Sequence, residues 1–154
     1  MSKSLENFNM VIFGSNGDLS FRKIFPALYY RLKEKQISNE SNIIAIVRNK
    51  ESYSSLKEKL KDYLKKNITN VSNESLNKLM NIVEVVLFDI KSKETHNNLK
   101  KTLNSNNNKI RIYYLATPAN VFGPISNILG KLDLINSFSR IVLEKPLGRD
   151  KASS

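Results

Sequence analysis

Five short apolar runs, separated by stretches with helical spacing, constrain this chain more than any other feature. They occupy residues 10–14, 43–47, 82–88, 110–116 and 140–143. Their apolar residues are largely continuous rather than alternating, the pattern of a parallel strand covered on both faces. Between the runs, apolar residues recur at helical intervals: Leu19, Ile24, Leu28 and Leu32, then Leu56, Leu60, Tyr63 and Leu64, then Leu76, Leu79 and Met80, and finally Val121, Ile125, Ile128 and Leu129. Residues 94–103 predict a polar helix that ends in an asparagine-rich loop. Pro26 falls inside the first stripe, so that helix should kink there or restart at the proline. Thr117-Pro118 predicts a helix start, with a hydroxyl cap and a proline at the first helical position. Strands joined by helical crossovers imply right-handed βαβ units in an α/β fold with a doubly wound parallel sheet. With no internal repeat and no Pro/Gly-rich linker, residues 1–154 are expected to form one domain.

Composition narrows the function classes. The absence of cysteine excludes disulfides and thiolate metal sites, and a lone histidine, His96, leaves any metal site mostly carboxylate. No apolar stretch approaches the roughly 20 residues that span a bilayer. The first residues lack the apolar core of a signal peptide, so a cytoplasmic location is expected. A net charge of +11 raises the possibility of nucleic-acid binding. The lysines, however, are spread along helices, as at Lys57, Lys59 and Lys61, rather than gathered in one block. That patterning favours solvated faces over a nucleic-acid footprint.

The turn after the first run reads Gly14-Ser15-Asn16-Gly17-Asp18-Leu19-Ser20-Phe21. In a doubly wound sheet a dinucleotide lies at the carboxyl ends of the strands, near the topological switch point. The first turn must bring backbone amides to a pyrophosphate and aim a helix N-terminus at it. Gly14 and Gly17 permit that approach because they lack Cβ atoms. Two such glycines would also suit any tight strand-to-helix turn; their place after the first strand of an alternating chain favours nucleotide binding. The second run ends Val47-Arg48-Asn49-Lys50, with no carboxylate before Glu51. An acidic residue there would bond ribose hydroxyls, whereas an arginine accommodates a 2′-phosphate. Arg48 can also fork onto a phosphate, and Lys50 adds charge, so NADP is favoured over NAD. An ordinary exposed loop cation is the plainer alternative.

Three segments then carry a specific resemblance. Residues 14–19, with Arg22-Lys23-Ile24-Phe25-Pro26-Ala27-Leu28-Tyr29, resemble the N-terminal signature of glucose-6-phosphate dehydrogenases. Residues 114–123 are similar to that family's segment after the fourth strand, and residues 140–150 to its Glu-Lys-Pro corner. The resemblance covers the whole chain in order and spacing, and implies a Rossmann-type NAD(P)-binding domain. It implies that residues 14–21 hold the cofactor's phosphates and that Arg48 meets the 2′-phosphate. Asp89, Ile90 and Tyr114 would be further cofactor contacts. Lys145 would touch both the cofactor and the sugar phosphate, beside a peptide before Pro146 that is typically cis in the family. Two segments depart from the family pattern: Ala45-Ile46-Val47 replaces a more usual Gly-Tyr-Ala, and in the glycine turn Asn16 stands where a small residue is commoner.

The resemblance also shows what is missing. Oxidising a sugar's anomeric hydroxyl needs a general base for its proton. In the family, a histidine of a larger C-terminal domain supplies it, beside a sugar-phosphate segment beyond the Glu-Lys-Pro corner. His96 matches no such motif and reads as a solvated surface residue, so no catalytic residue is assigned. Three readings follow. The first is the cofactor-binding part of such an enzyme, inactive alone, with glucose 6-phosphate bound only if a C-terminal domain completes it. The second is one half of a split enzyme whose partner is a separate C-terminal polypeptide. The third is a nucleotide- or nucleic-acid-binding module without catalysis.

Overall fold

The expected alternation is what the chain folds into. The computed structural model describes residues 6–143. Five strands, β1 (Phe8–Phe13), β2 (Asn42–Val47), β3 (Val83–Leu87), β4 (Ile110–Leu115) and β5 (Ser139–Leu143), form one sheet. All neighbours are parallel, in the order β3-β2-β1-β4-β5. The helices are α1 (Phe25–Lys33), α2 (Lys50–Asn67), α3 (Asn73–Ile82), α4 (Lys93–Asn104) and α5 (Phe122–Lys131). The register sets Val11 beside Ile44 of β2 and Tyr113 of β4, so the central strands share one buried rung.

Each central strand divides its side chains between two cores. Ile12, Ile43, Ala45 and Val47 pack under α1, α2 and α3, while Val11, Phe13, Ile44, Ile46 and Tyr113 pack under α4 and α5. This explains why the runs read as continuous: both faces are covered. On α2, Leu56, Leu60 and Leu64 recur every fourth residue and are completely buried. Each contributes roughly 1.5–3 kcal/mol of apolar burial.

Pro26 does what its fixed φ allows. A π-helical turn over Ser20–Ile24 runs without a break into α1, so the wider turn stands directly before Pro26, where an α-helix would meet the proline ring and its missing N–H. The asparagine loop after α4 is structural. Asn9, fully buried on β1, exchanges reciprocal amide bonds of 3.2 Å with Asn106 and accepts another from Asn42. These bonds close the amino ends of the strands, opposite the glycine turn.

Two expectations need correction. The last strand is not buried among the described residues. β5 pairs with β4 alone and leaves Ile141, Val142 and Leu143 at 40%, 36% and 52% exposure. Thr117 is not a helix cap. Pro118 itself precedes the 3₁₀ turn Ala119–Val121, and no side chain caps that turn.

A candidate dinucleotide cavity at the switch point

The order β3-β2-β1-β4-β5 places the topological switch between β1 and β4, and a cavity of about 790 Å³ opens there. Its walls are the carboxyl ends of four strands. β1 contributes Phe13 and the glycine turn, and β2 contributes Ile46, Val47, Arg48 and Asn49. The loop after β3 contributes Phe88 to Lys91, and Ala116 and Thr117 follow β4. That volume lies within the range of small-ligand sites.

The glycine turn is held on three sides. Ser15 N–H donates to the Ile46 carbonyl at 3.1 Å, and Ala116 N–H donates to the Phe13 carbonyl at 3.0 Å. Gly14 has φ +82°, and a Cβ there would stand 2.4 Å from the Ala116 carbonyl oxygen. Only glycine allows this turn to sit so close to the β4 loop. Asn16 reaches across to the Ser52 hydroxyl at 3.1 Å, tying the turn to the first turn of α2. Asn49 caps that helix by accepting from Ser52 N–H at 2.8 Å. Arg48, exposed, therefore sits between the last strand residue of β2 and a firm helix cap.

The β3 side is braced from behind by His96, which corrects the expectation of a solvated surface residue. His96 is only 9% exposed, stacks on Phe88 with ring centroids 4.9 Å apart, and meets the Asp89 carbonyl at 2.9 Å. A carbonyl can only accept, so Nε2 carries the proton. Thr95 adds a hydroxyl that accepts from Asp89 N–H at 2.9 Å. The Asp89 carboxylate accepts from Lys91 N–H at 3.0 Å and shapes the loop that lines the cavity.

The structure brings some of the sequence-selected residues together and separates others. Gly14, Asn16, Gly17, Arg48, Asp89 and Ile90 line the cavity. Ser15 and Ser20 are buried beneath the turn, with hydroxyls bonded to the Ile12 and Gly14 carbonyls. Asp18 pairs with Arg22 at 2.8 Å on an exposed surface. Leu19, Phe21 and Tyr114 pack against the α1–α3 core, Phe21 between Phe25 and Tyr63. Lys145 and the peptide before Pro146 lie outside the described residues. Lys91 and Thr117 line the cavity but were not selected from sequence as site residues. Lys91 follows Asp89 by two residues on the same loop, and that proximity is the one signal the sequence offered.

A family model described as "Glucose-6-phosphate dehydrogenase, NAD binding domain" matches residues 11–154. The chain belongs to the glucose-6-phosphate dehydrogenase family. It corresponds to that family's nicotinamide-cofactor-binding domain. It is 35% identical to a glucose-6-phosphate 1-dehydrogenase of Rhizobium meliloti (strain 1021), over 97% of this chain and 31% of the relative. It is 40% identical to one of Buchnera aphidicola subsp. Schizaphis graminum (strain Sg), over 91% and 29%. A solved structure of a glucose-6-phosphate dehydrogenase in complex with its substrate glucose-6-phosphate superimposes with a TM-score of 0.79 at 30% identity. That superposition covers 97% of this chain and 32% of the other. A Mycobacterium avium structure at 24% identity shares the fold with a TM-score of 0.81. The chain thus spans about a third of the length of these family members. Among the described residues, no helix is long and apolar enough to cross a membrane, and no cluster of three metal-ligating side chains occurs.

Proposed function

We propose that this domain, residues 1–154, holds NADP for a glucose-6-phosphate dehydrogenase and is completed by the larger part of that family's polypeptide. The observation that carries this reading is the end of β2. Arg48 lines the cavity there, Asn49 caps α2 behind it, and the first carboxylate, Glu51, belongs to the helix. A guanidinium in that position suits a 2′-phosphate, and Lys91 adds a second cation to the cavity wall. The cavity fits a dinucleotide: it runs from Arg48 past the Gly14 turn to Thr117, across the switch point. In this reading the turn at Gly14 and Gly17 accommodates the pyrophosphate beside the start of the helical run. Ile90 and Asp89 border the adenosine end, and Lys145, outside the described residues, is kept as the contact that the family resemblance implies for both cofactor and sugar phosphate.

Bound in this cavity, NADP would supply the hydride acceptor for oxidation of glucose 6-phosphate to its lactone, while the hydroxyl proton would pass to a base outside the described residues. The residues described here bind and orient, and none supplies the base. His96 is committed to the Asp89 carbonyl behind the cavity wall. The isolated chain is therefore expected to bind cofactor without turning over the sugar phosphate. The bare outer side of β5 supports completion by further polypeptide, in the same chain or as a separate one. Its apolar residues Ile141, Val142 and Leu143, with Phe138 just before the strand at 55% exposure, follow the pattern of a strand covered on both faces.

The test is cofactor affinity. Titration calorimetry should show NADP binding more tightly than NAD, and Arg48→Ala should weaken NADP by about 10- to 100-fold while sparing NAD. Equal loss for both cofactors, or none, would remove Arg48 from the 2′-phosphate site. Mixing the chain with the C-terminal two thirds of the Rhizobium meliloti relative should restore NADPH formation; inactivity of a mixture that associates would count against the completion.

A further inference from the structure

Two buried side-chain polar atoms among the described residues have no hydrogen-bond partner: Arg111 Nε and Thr117 Oγ1. The first is readily explained. Arg111 lies at the amino end of β4, and its other two nitrogens donate to the Leu134 carbonyl and to Asn104 Oδ1, both at 3.0 Å. Thr117 has no such compensation. It stands just past the carboxyl end of β4, caps nothing, and forms part of the cavity wall. Its methyl Cγ2 lies 3.1 Å from where a Gly14 Cβ would be, so the side chain sits directly against the glycine turn. A buried hydroxyl without a partner is unfavourable, and such groups in a ligand cavity mark a bond completed elsewhere.

We propose that Thr117 is a cofactor-contact residue, whose hydroxyl hydrogen-bonds the nicotinamide-nucleoside half of the dinucleotide. This rests on the NADP reading given above. The assignment to that half follows from the strand order. Arg48, after β2, marks the adenosine side; the Gly14 turn, after β1, marks the pyrophosphate; Thr117, after β4, lies on the far side of the switch point. Thr117 lines the cavity, and its hydroxyl, bonded to no protein group, is left for an oxygen of the ligand. The group is either donor or acceptor, so ribose hydroxyls and phosphate oxygens are both suitable.

The experiment compares Thr117→Val and Thr117→Ser with the unaltered chain, using NADP and 2′,5′-ADP as probes and thermal melts without ligand. Valine keeps the shape and removes the hydroxyl. It should raise Tm of the ligand-free protein, because an orphan polar atom is gone, yet weaken NADP binding by about 3- to 10-fold. Affinity for 2′,5′-ADP, which lacks the nicotinamide half, should be unchanged, and Thr117→Ser should retain NADP affinity. Opposite signs for stability and affinity are not expected of a purely structural residue. If the unaltered chain binds NADP and Thr117→Val binds it equally well, the contact is refuted and the NADP reading stands. If Thr117→Val weakens both probes alike, the assignment to the nicotinamide half is refuted. If the unaltered chain binds neither probe, both fall.

Discussion

Gly14→Ala is the sharpest test of how the fold builds its cavity. Two costs can be worked from the geometry. At φ +82°, an L side chain lies in the left-handed region, which costs roughly 1–2 kcal/mol. The new Cβ would also stand 2.4 Å from the Ala116 carbonyl oxygen, a backbone atom that cannot swing away. Relieving that overlap means lifting the turn from the β4 loop, comparable to an overpacked core at about 1–3 kcal/mol. The sum, about 2–5 kcal/mol, is a large share of a typical domain's stability of roughly 5–15 kcal/mol. For a domain of this size it corresponds to a fall in Tm of roughly 4–20 °C. Gly17→Ala provides the control. Its Cβ would meet only the Gly14 carbonyl oxygen, at 3.2 Å, and its φ is not in the left-handed region. Stability should fall less than in Gly14→Ala, because the contact is looser and no left-handed φ is involved, while NADP binding falls because a methyl group enters the turn that is proposed to meet the pyrophosphate. Differential scanning calorimetry with and without NADP reads both effects. A Gly14→Ala protein that melts with the unaltered chain would show that the turn does not depend on this contact.

Two further outcomes follow from buried groups. His96→Leu removes the stack on Phe88 and the bond to the Asp89 carbonyl, and should cost about 1–3 kcal/mol in urea unfolding; a change within about 0.5 kcal/mol would fit a surface residue instead. Tyr113 is fully buried, and burial raises its phenol above the ordinary 10.0, opposed in part by Arg111. The unfolded chain then loses this proton first, so stability should decline as pH rises through about 10 toward the folded value. Tyr113→Phe should lose that added alkaline decline, and identical slopes from pH 9 to 11 would contradict it.

The elements were legible because their signals are local. A continuous apolar run needs no neighbour to be recognised as a strand, and Gly14 and Pro26 act through their own backbone. The resemblance to the family rested on contiguous segments, and it too was readable without coordinates. Environments were not legible. His96 sits in a polar stretch, yet the turn of α4 buries it against Phe88 of another element. The residues after the fourth run promised a capped helix, whereas packing against Gly14 left the Thr117 hydroxyl unpartnered.

The sequence alone thus determined an α/β chain with a glycine turn after its first strand and an arginine, not a carboxylate, after its second. Only the tertiary structure decided that the loops after β1, β2, β3 and β4 meet around one cavity, with Arg48, Lys91 and Thr117 among its lining residues. It also decided that β5 is an open edge among the described residues. The physical reason is the same in each case. Strand order and burial are set by which faces pack together across the sheet, and those partners are far apart in the chain.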